Sequence, residues 1–358
     1  MSLVLTTEFS TKLIKSDSLK IKMSSDSSTN PLIITLNTIS PDLNRYLSIG
    51  ILVFGTIGNL LNCLALSQRT LRSNPCAFCF LTSSMASLIT LISGVLVRLL
   101  AGFSADLTDT VNWLCKLRIF VLFNSRTIAS WLIMLATFDR WLSSAIDVNR
   151  RQKSSLKNAR RGVLIVIIFS SLAYAQIFYC YEANLTNSPL KCYGRTTWCR
   201  LLIDSEFTAL SILLPSLLMF FFGVMTIVNL RHVAFRRVQP ITITVGHHTG
   251  TTQNGGASRS KKRDHSLLLM LCVQVILLTL FSLPQAIQNL YANATRFEVR
   301  SPTYIAINNF IFNLFLLLTY VTNGMPFYIY TLTGGSVFRK ALVHAIVNLS
   351  RKLICRQR

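Results

Sequence analysis

"WLIMLATFDRWLSS", residues 131–144, decides how the rest of the chain is read. An apolar run ends on an acid and a base side by side, Asp139 and Arg140, followed by Trp141. Two charges beside such a run are costly within hydrocarbon, so they stand at a membrane surface or perform a task there. Outward from this point the apolar run reaches back to residue 115. A helix across a ~30 Å hydrocarbon core takes roughly 20 residues, and this run is long enough. Further runs of that kind lie at 44–67, 76–100, 161–181, 204–230, 266–291 and 304–332, making seven spans. Their alternation is weak, which argues against a barrel. The expected fold is therefore an all-α membrane protein, a seven-transmembrane helix bundle.

Composition agrees. Of 358 residues 51% are hydrophobic and 14% charged, yet the formal net charge is +23. The mean hydropathy of +0.48 is high for a soluble chain of this length. A nucleic-acid binder would also be basic, but long apolar runs would not interrupt its charge, so no nucleic acid is expected as partner.

The basic residues are unevenly placed. The turn after the first span carries Arg69 and Arg72. The loop after the third carries Arg150, Arg151, Lys153, Lys157, Arg160 and Arg161. The loop after the fifth carries Arg231, Arg236, Arg237, Arg259, Lys261, Lys262 and Arg263, and the tail carries Arg339, Lys340, Arg351, Lys352, Arg356 and Arg358. These are 21 of the 36 Lys and Arg residues. The positive-inside rule puts them in the cytoplasm and the N-terminus outside, against five basic residues in the N-terminal tail. Asp139-Arg140-Trp141 then faces the cytoplasm. The organisation expected is an extracellular disordered tail over 1–43, the bundle over 44–334, and an amphipathic helix with a basic cytoplasmic tail over 335–358. "MSLVLTTEF" is short for a signal-peptide core, so the first span is expected to direct insertion.

Two sequons fall on the outer side, at Asn184 and Asn293, and are expected to carry glycans; a third, at Asn348, would be cytoplasmic and unmodified. Among nine cysteines, Cys115, Cys180, Cys192 and Cys199 lie at outer ends or loops, where disulfides form. Cys355 in the basic tail is a candidate for palmitoylation. No cysteine or histidine spacing points to a metal, and His247-His248 sits in a Gly/Thr-rich loop. No nucleophile elbow, phosphate loop or zincin motif occurs, so neither an enzyme nor a cofactor is expected.

Particular residues on these spans resemble those of rhodopsin-like (class A) G-protein-coupled receptors. "GTIGNLLN" (55–62) resembles the first-helix signature, with Asn59 as its polar residue. Cys115 precedes Asp139 by 24 residues, similar to the family's spacing between its helix 3 cysteine and its Asp-Arg-Tyr acid; the motif here reads Asp-Arg-Trp. Pro215 and Pro284 stand at family-like places, and "MPFYIYTLTGGSVFRKAL" (325–342) resembles the end of helix 7 followed by a short amphipathic helix 8. The resemblance covers about 44–345, and the chain is similar in kind to invertebrate neuropeptide receptors. It departs at Ser87, where the family has an acid, at Ser282, where it has Trp, and at Pro326, which precedes Tyr330 by four residues instead of three. A mid-membrane sodium site is therefore not expected.

The resemblance implies a cell-surface receptor in the plasma membrane, with an extracellular ligand, expected to be a peptide, and a heterotrimeric G protein as partners beside membrane lipids. It implies a disulfide from Cys115 to the loop between spans 4 and 5. Cys192 leaves room for that loop before Pro215, while Cys199 would lie almost on the helix and pair with Cys180; Cys199 stays open as the alternative partner of Cys115. Arg140 carries a planar fork that can pair in one state and release in another. Asp139 beside it and Asp264, about 30 Å by helical rise below Pro284, are the acids expected to hold it at rest.

On the outer half, Leu122 stands where aminergic receptors have Asp, and the last span holds no Lys for retinal. Arg98, Arg118 and Arg126 are basic there instead, and are the candidates for meeting an anionic or peptide ligand; internal pairing of Arg126 with an acid or with Asn308, Asn309 or Asn313 is the alternative. A seven-helix transporter, or another non-signalling membrane protein, is the rival reading. Its usual marks are paired repeats and interrupted helices, and no internal repeat is visible.

Overall fold

A computed structural model of the chain describes residues 31–103, 107–185, 191–238, 254–295, 301–333 and 335–356. Seven helices among them are long and apolar enough to cross a membrane. They are α1 (Pro31–Leu66), α2 (Pro75–Leu100), α3 (Asn112–Ser144), α4 (Leu156–Cys180), α5 (Thr197–His232), α6 (Asn254–Ala294, with its apolar stretch over Leu271–Ala292) and α7 (Pro302–Gly324). A short α8 (Pro326–Thr333) continues α7, and α9 (Gly335–Arg356) follows. The described strands are β1 (Tyr181–Glu182) and β2 (Tyr193–Gly194), an antiparallel pair between α4 and α5.

The helices start where the sequence supplies caps. Asn74 Oδ1 accepts from the amides of Cys76 and Ala77 with Pro75 in the first turn of α2. Ser155 opens α4 by accepting from Asn158 N, Thr196 opens α5 by accepting from Cys199 N, and Ser301 opens α7 by accepting from Tyr304 N ahead of Pro302. The first helix corrects the expected boundary: it begins at Pro31 and runs through Pro41, so residues 31–43 of the expected tail are helical. The last helix, 22 residues long, is not short and carries the expected basic tail with it.

Two helices are locally underwound. Leu91–Leu96 of α2 and Phe207–Leu213 of α5 form π-turns. The second lies just before Pro215, whose missing N–H leaves a carbonyl of the preceding turn without its helical donor. Trp131 Nε1 of α3 donates to Leu210 O at 2.8 Å.

Helix α3 is central, packed against α2, α4 and α5, while α1 packs on α2 and α7. Large apolar side chains face outward on the periphery, among them Phe54 on α1, Ile165 on α4 and Phe220 on α5. In water such a belt would be unstable, and lipid chains satisfy it. Between helices the contacts are small and polar, as membrane helix packing favours. Ser83 Oγ donates to Ala129 O at 3.1 Å, Thr90 and Ser125 share a hydrogen bond of 2.9 Å, and Asn124 bonds Ser170 and Ser171 of α4. The Thr127 hydroxyl meets those of Tyr174 and Ser211, joining α3, α4 and α5.

Candidate functional site

The two ends of α3 carry different chemistry. At its first end, Cys115 is disulfide-bonded to Cys192, and Cys180 to Cys199. All four half-cystines are buried in one cluster with Tyr174, Ile177 and Ile203. The two bridges pin the β1–β2 pair to α3 and to the start of α5. Burial, with Asp204 nearby, pushes the Tyr181 phenol of β1 well above its ordinary range. Asn184, just after β1, is exposed with φ 59°, a left-handed conformation that Asn tolerates. Its side-chain amide donates to Thr110 O at 3.1 Å. The side chain of Asn293 lies outside the described residues, as does that of Cys355.

At the other end, Asp139 and Arg140 are 7% and 6% exposed, so neither is a solvated anchor. Arg140 Nη2 donates to Asn74 Oδ1 at 2.9 Å and lies 3.4 Å from Asp139 Oδ2. Ser154, in the connection after the short helix Val148–Lys153, donates its hydroxyl to Asp139 Oδ1 at 2.6 Å. Three segments thus converge on one ion pair. Trp141 packs at a tilt against Phe138 and Phe222, and the Arg150 guanidinium lies over its ring at 5.9 Å. Asp264 lies on α6, but its side chain is outside the described residues. Sequence reasoning missed Asn74 and Ser154 as partners. The dipeptide Asn74-Pro75 signals a helix start, and nothing in it signals that its oxygen is shared with Arg140.

Between the ends, the singled-out residues join helices. Buried Asn59 donates through Nδ2 to Gly55 O and Asn323 O, at 2.9 and 2.8 Å, tying α1 to α7. Tyr330 of α8 is fully buried against Phe80 and Phe338, and its hydroxyl donates to Gln274 Oε1 of α6 at 2.6 Å. Pro326 opens α8, and Pro284 lies inside α6.

The arginines divide. Arg98 Nη1 donates to Asn44 and Asn313, at 3.4 and 3.2 Å, so Asn313 serves Arg98 and not Arg126. Arg118 donates to Ser93 O at 3.2 Å and to Thr108 Oγ1 at 2.7 Å. Both are held by hydrogen bonds within the protein. Leu122 packs in the core with Leu91, Val95 and Tyr320. Arg126, 6% exposed, sits under the rings of Phe207 and Tyr320, at 4.8 and 5.4 Å. Among the described residues its guanidinium has no carboxylate and no hydrogen-bond acceptor. Each aromatic face contributes about 2 kcal/mol when desolvated, against several kcal/mol for burying an ion, and neither ring supplies an opposite charge.

The disulfide end also holds uncharged polar groups on α6 and α7. Gln288 Nε2 donates to Asn308 Oδ1 at 2.7 Å, Gln285 to Asn289 Oδ1 at 2.8 Å, and the Tyr304 hydroxyl to that of Tyr291 at 2.6 Å.

Neither a scan against protein-family models nor a search of curated proteins finds a match to this chain.

Proposed function

We propose that this chain is a plasma-membrane receptor that binds an extracellular ligand and activates a heterotrimeric G protein. The observation that carries the reading is the Asp139–Arg140 pair, buried at one end of the central helix and closed over by Asn74 and Ser154. A permanent cation held by exchangeable neutral and acidic acceptors suits a two-state closure better than an anchor, because each acceptor can be given up in turn. In this reading the basic loops and α9 face the cytoplasm and the disulfide end faces outward, with Asn184 and Asn293 glycosylated and Cys355 available for a lipid. Asp264 is a second acid for Arg140.

The ligand, proposed to be a peptide, is read by the amides and tyrosines of the disulfide end: Gln288, Asn308, Tyr291 and Tyr304. Arg98 and Arg118 frame that end by holding helices together.

The test is nucleotide exchange on a panel of G proteins by the full chain in lipid bilayers, with and without a peptide library. Ligand-dependent exchange that is lost in Arg140→Ala at equal surface level supports the receptor. Solute uptake into vesicles, with no exchange on any G protein, overturns it in favour of a transporter.

A further inference from the structure

A cavity lies along α3 between Ile133 and Arg126, about 10–21 Å from Arg140 by helical rise. It is lined by Arg126 of α3, Ser87 of α2, Ser211 of α5, Ser282 of α6 and Thr322 and Asn323 of α7. Its interior leaves about 20 Å³ for the centre of a water-sized sphere. One such sphere needs roughly 10–15 Å³. The space suits one body the size of water or a halide, and is too small for a peptide side chain arriving with its backbone.

The lining is mixed: Ala129, Ile133, Ile212, Leu278 and Pro326 supply apolar walls, and Arg126 is the one cation among the lining residues. Arg126 keeps its charge, since a guanidinium does not lose its proton in a protein. Ser87 and Ser282 are buried residues, 2% and 5% exposed, and among the described residues their hydroxyls make no hydrogen bond. Ser211 is already engaged by Thr127 and Tyr174, and Asn323 Nδ2 by Thr319 O. One buried cation and two uncommitted hydroxyl donors therefore line a space of ionic size, without a carboxylate among its lining residues.

We propose that this cavity binds one small inorganic anion of the halide class, with Arg126 as its counter-charge and Ser87 and Ser282 as hydrogen-bond donors. The anion neutralises the buried guanidinium and accepts from hydroxyls on α2 and α6, so it ties α3 to both. Because it binds the folded bundle and not the unfolded chain, it raises stability as its concentration rises through its dissociation constant.

The experiment is thermal unfolding of the full chain in lipid nanodiscs, in sodium chloride, sodium bromide or sodium gluconate at one ionic strength. Chloride and bromide should raise Tm over gluconate by about 2–4 °C, saturably. Arg126→Gln should remove the difference. Should that variant fail to fold, Ser87→Asp serves, because a resident carboxylate opposite Arg126 replaces the ion: this variant should unfold at one temperature in all three salts. Equal Tm values for the parent chain in chloride and gluconate would overturn the site, as would a halide effect that survives Ser87→Asp unchanged.

Discussion

Asn74 accepts three hydrogen bonds on one oxygen: the amides of Cys76 and Ala77, at 3.0 and 3.4 Å, and Arg140 Nη2 at 2.9 Å. Replacement by Ala removes a helix cap and an acceptor for the buried cation together. Asn74→Ala should cost about 0.5–2 kcal/mol of unfolding stability through the cap. If the chain is the proposed receptor, it should also raise ligand-free nucleotide exchange on its G protein a few-fold, since 1 kcal/mol shifts a minor state about fivefold. Asn74→Asp separates the two effects. It keeps the cap and adds charge for Arg140, so exchange should fall below the parent. If both variants exchange nucleotide at the parent's rate, Asn74 is a cap and nothing more. Asp139 and Arg140 were legible because charge ending an apolar run is conspicuous. Their partners were not, because the Asn74–Arg140 bond spans 66 residues and each member has an ordinary local explanation. Arg126 was legible as an intramembrane cation, while the rings that flank it were hidden in apolar spans where Phe and Tyr are routine.

At the scale of elements, seven spans were readable from length and hydropathy alone, and the capping residues mark where four helices begin. The π-turns were not readable, because "LISGVL" and "FTALSIL" have the composition of any span. Tyr320 explains why one of them needs its glycine: a Cβ on Gly94 would lie 2.6 Å from the Tyr320 ring and hydroxyl. The disulfides differ in what they constrain. Cys115 and Cys192 are 77 residues apart, Cys180 and Cys199 only 19. Loop-closure entropy assigns about 4–5 kcal/mol to the longer loop and about 3 kcal/mol to the shorter. Cys192→Ser should therefore lower the unfolding temperature more than Cys199→Ser, measured without reductant. The reverse order would mean that the shorter bridge acts by positioning the start of α5, not by restricting the unfolded chain.

For the whole molecule, closure depends on how near α1 and α7 approach. A Cβ on Gly324 would stand 3.1 Å from Gly55 Cα, and one on Gly55 would stand 2.8 Å from Leu91 Cδ1 and 3.2 Å from Gly324 Cα. The two backbones touch with nothing between them, and the Asn59–Asn323 hydrogen bond crosses at the same level. Gly324→Ala cannot be absorbed by a side-chain rotation, because backbone faces it. It should cost about 1–3 kcal/mol by overpacking, read as a lowered Tm in nanodiscs. Gly50, with open space where a Cβ would go, is the control, and Gly50→Ala should leave Tm unchanged or slightly raised. An equal loss at both positions would place the cost in helix propensity and not in the contact.

The Tyr330–Gln274 hydrogen bond bears on time as well as on position. It joins α8 to α6 between two groups that are 0% and 3% exposed, so neither finds water when they part. Any excursion of α6 away from α8 passes through a moment in which a hydroxyl and an amide oxygen are both dry and unsatisfied. Each costs about 1–3 kcal/mol at that moment, which slows the excursion by roughly one to four powers of ten relative to a bundle with an apolar contact there. A single phenol thus opposes separation of α6 from α8, as a kinetic barrier while both groups are dry and as a lost bond if they stay apart.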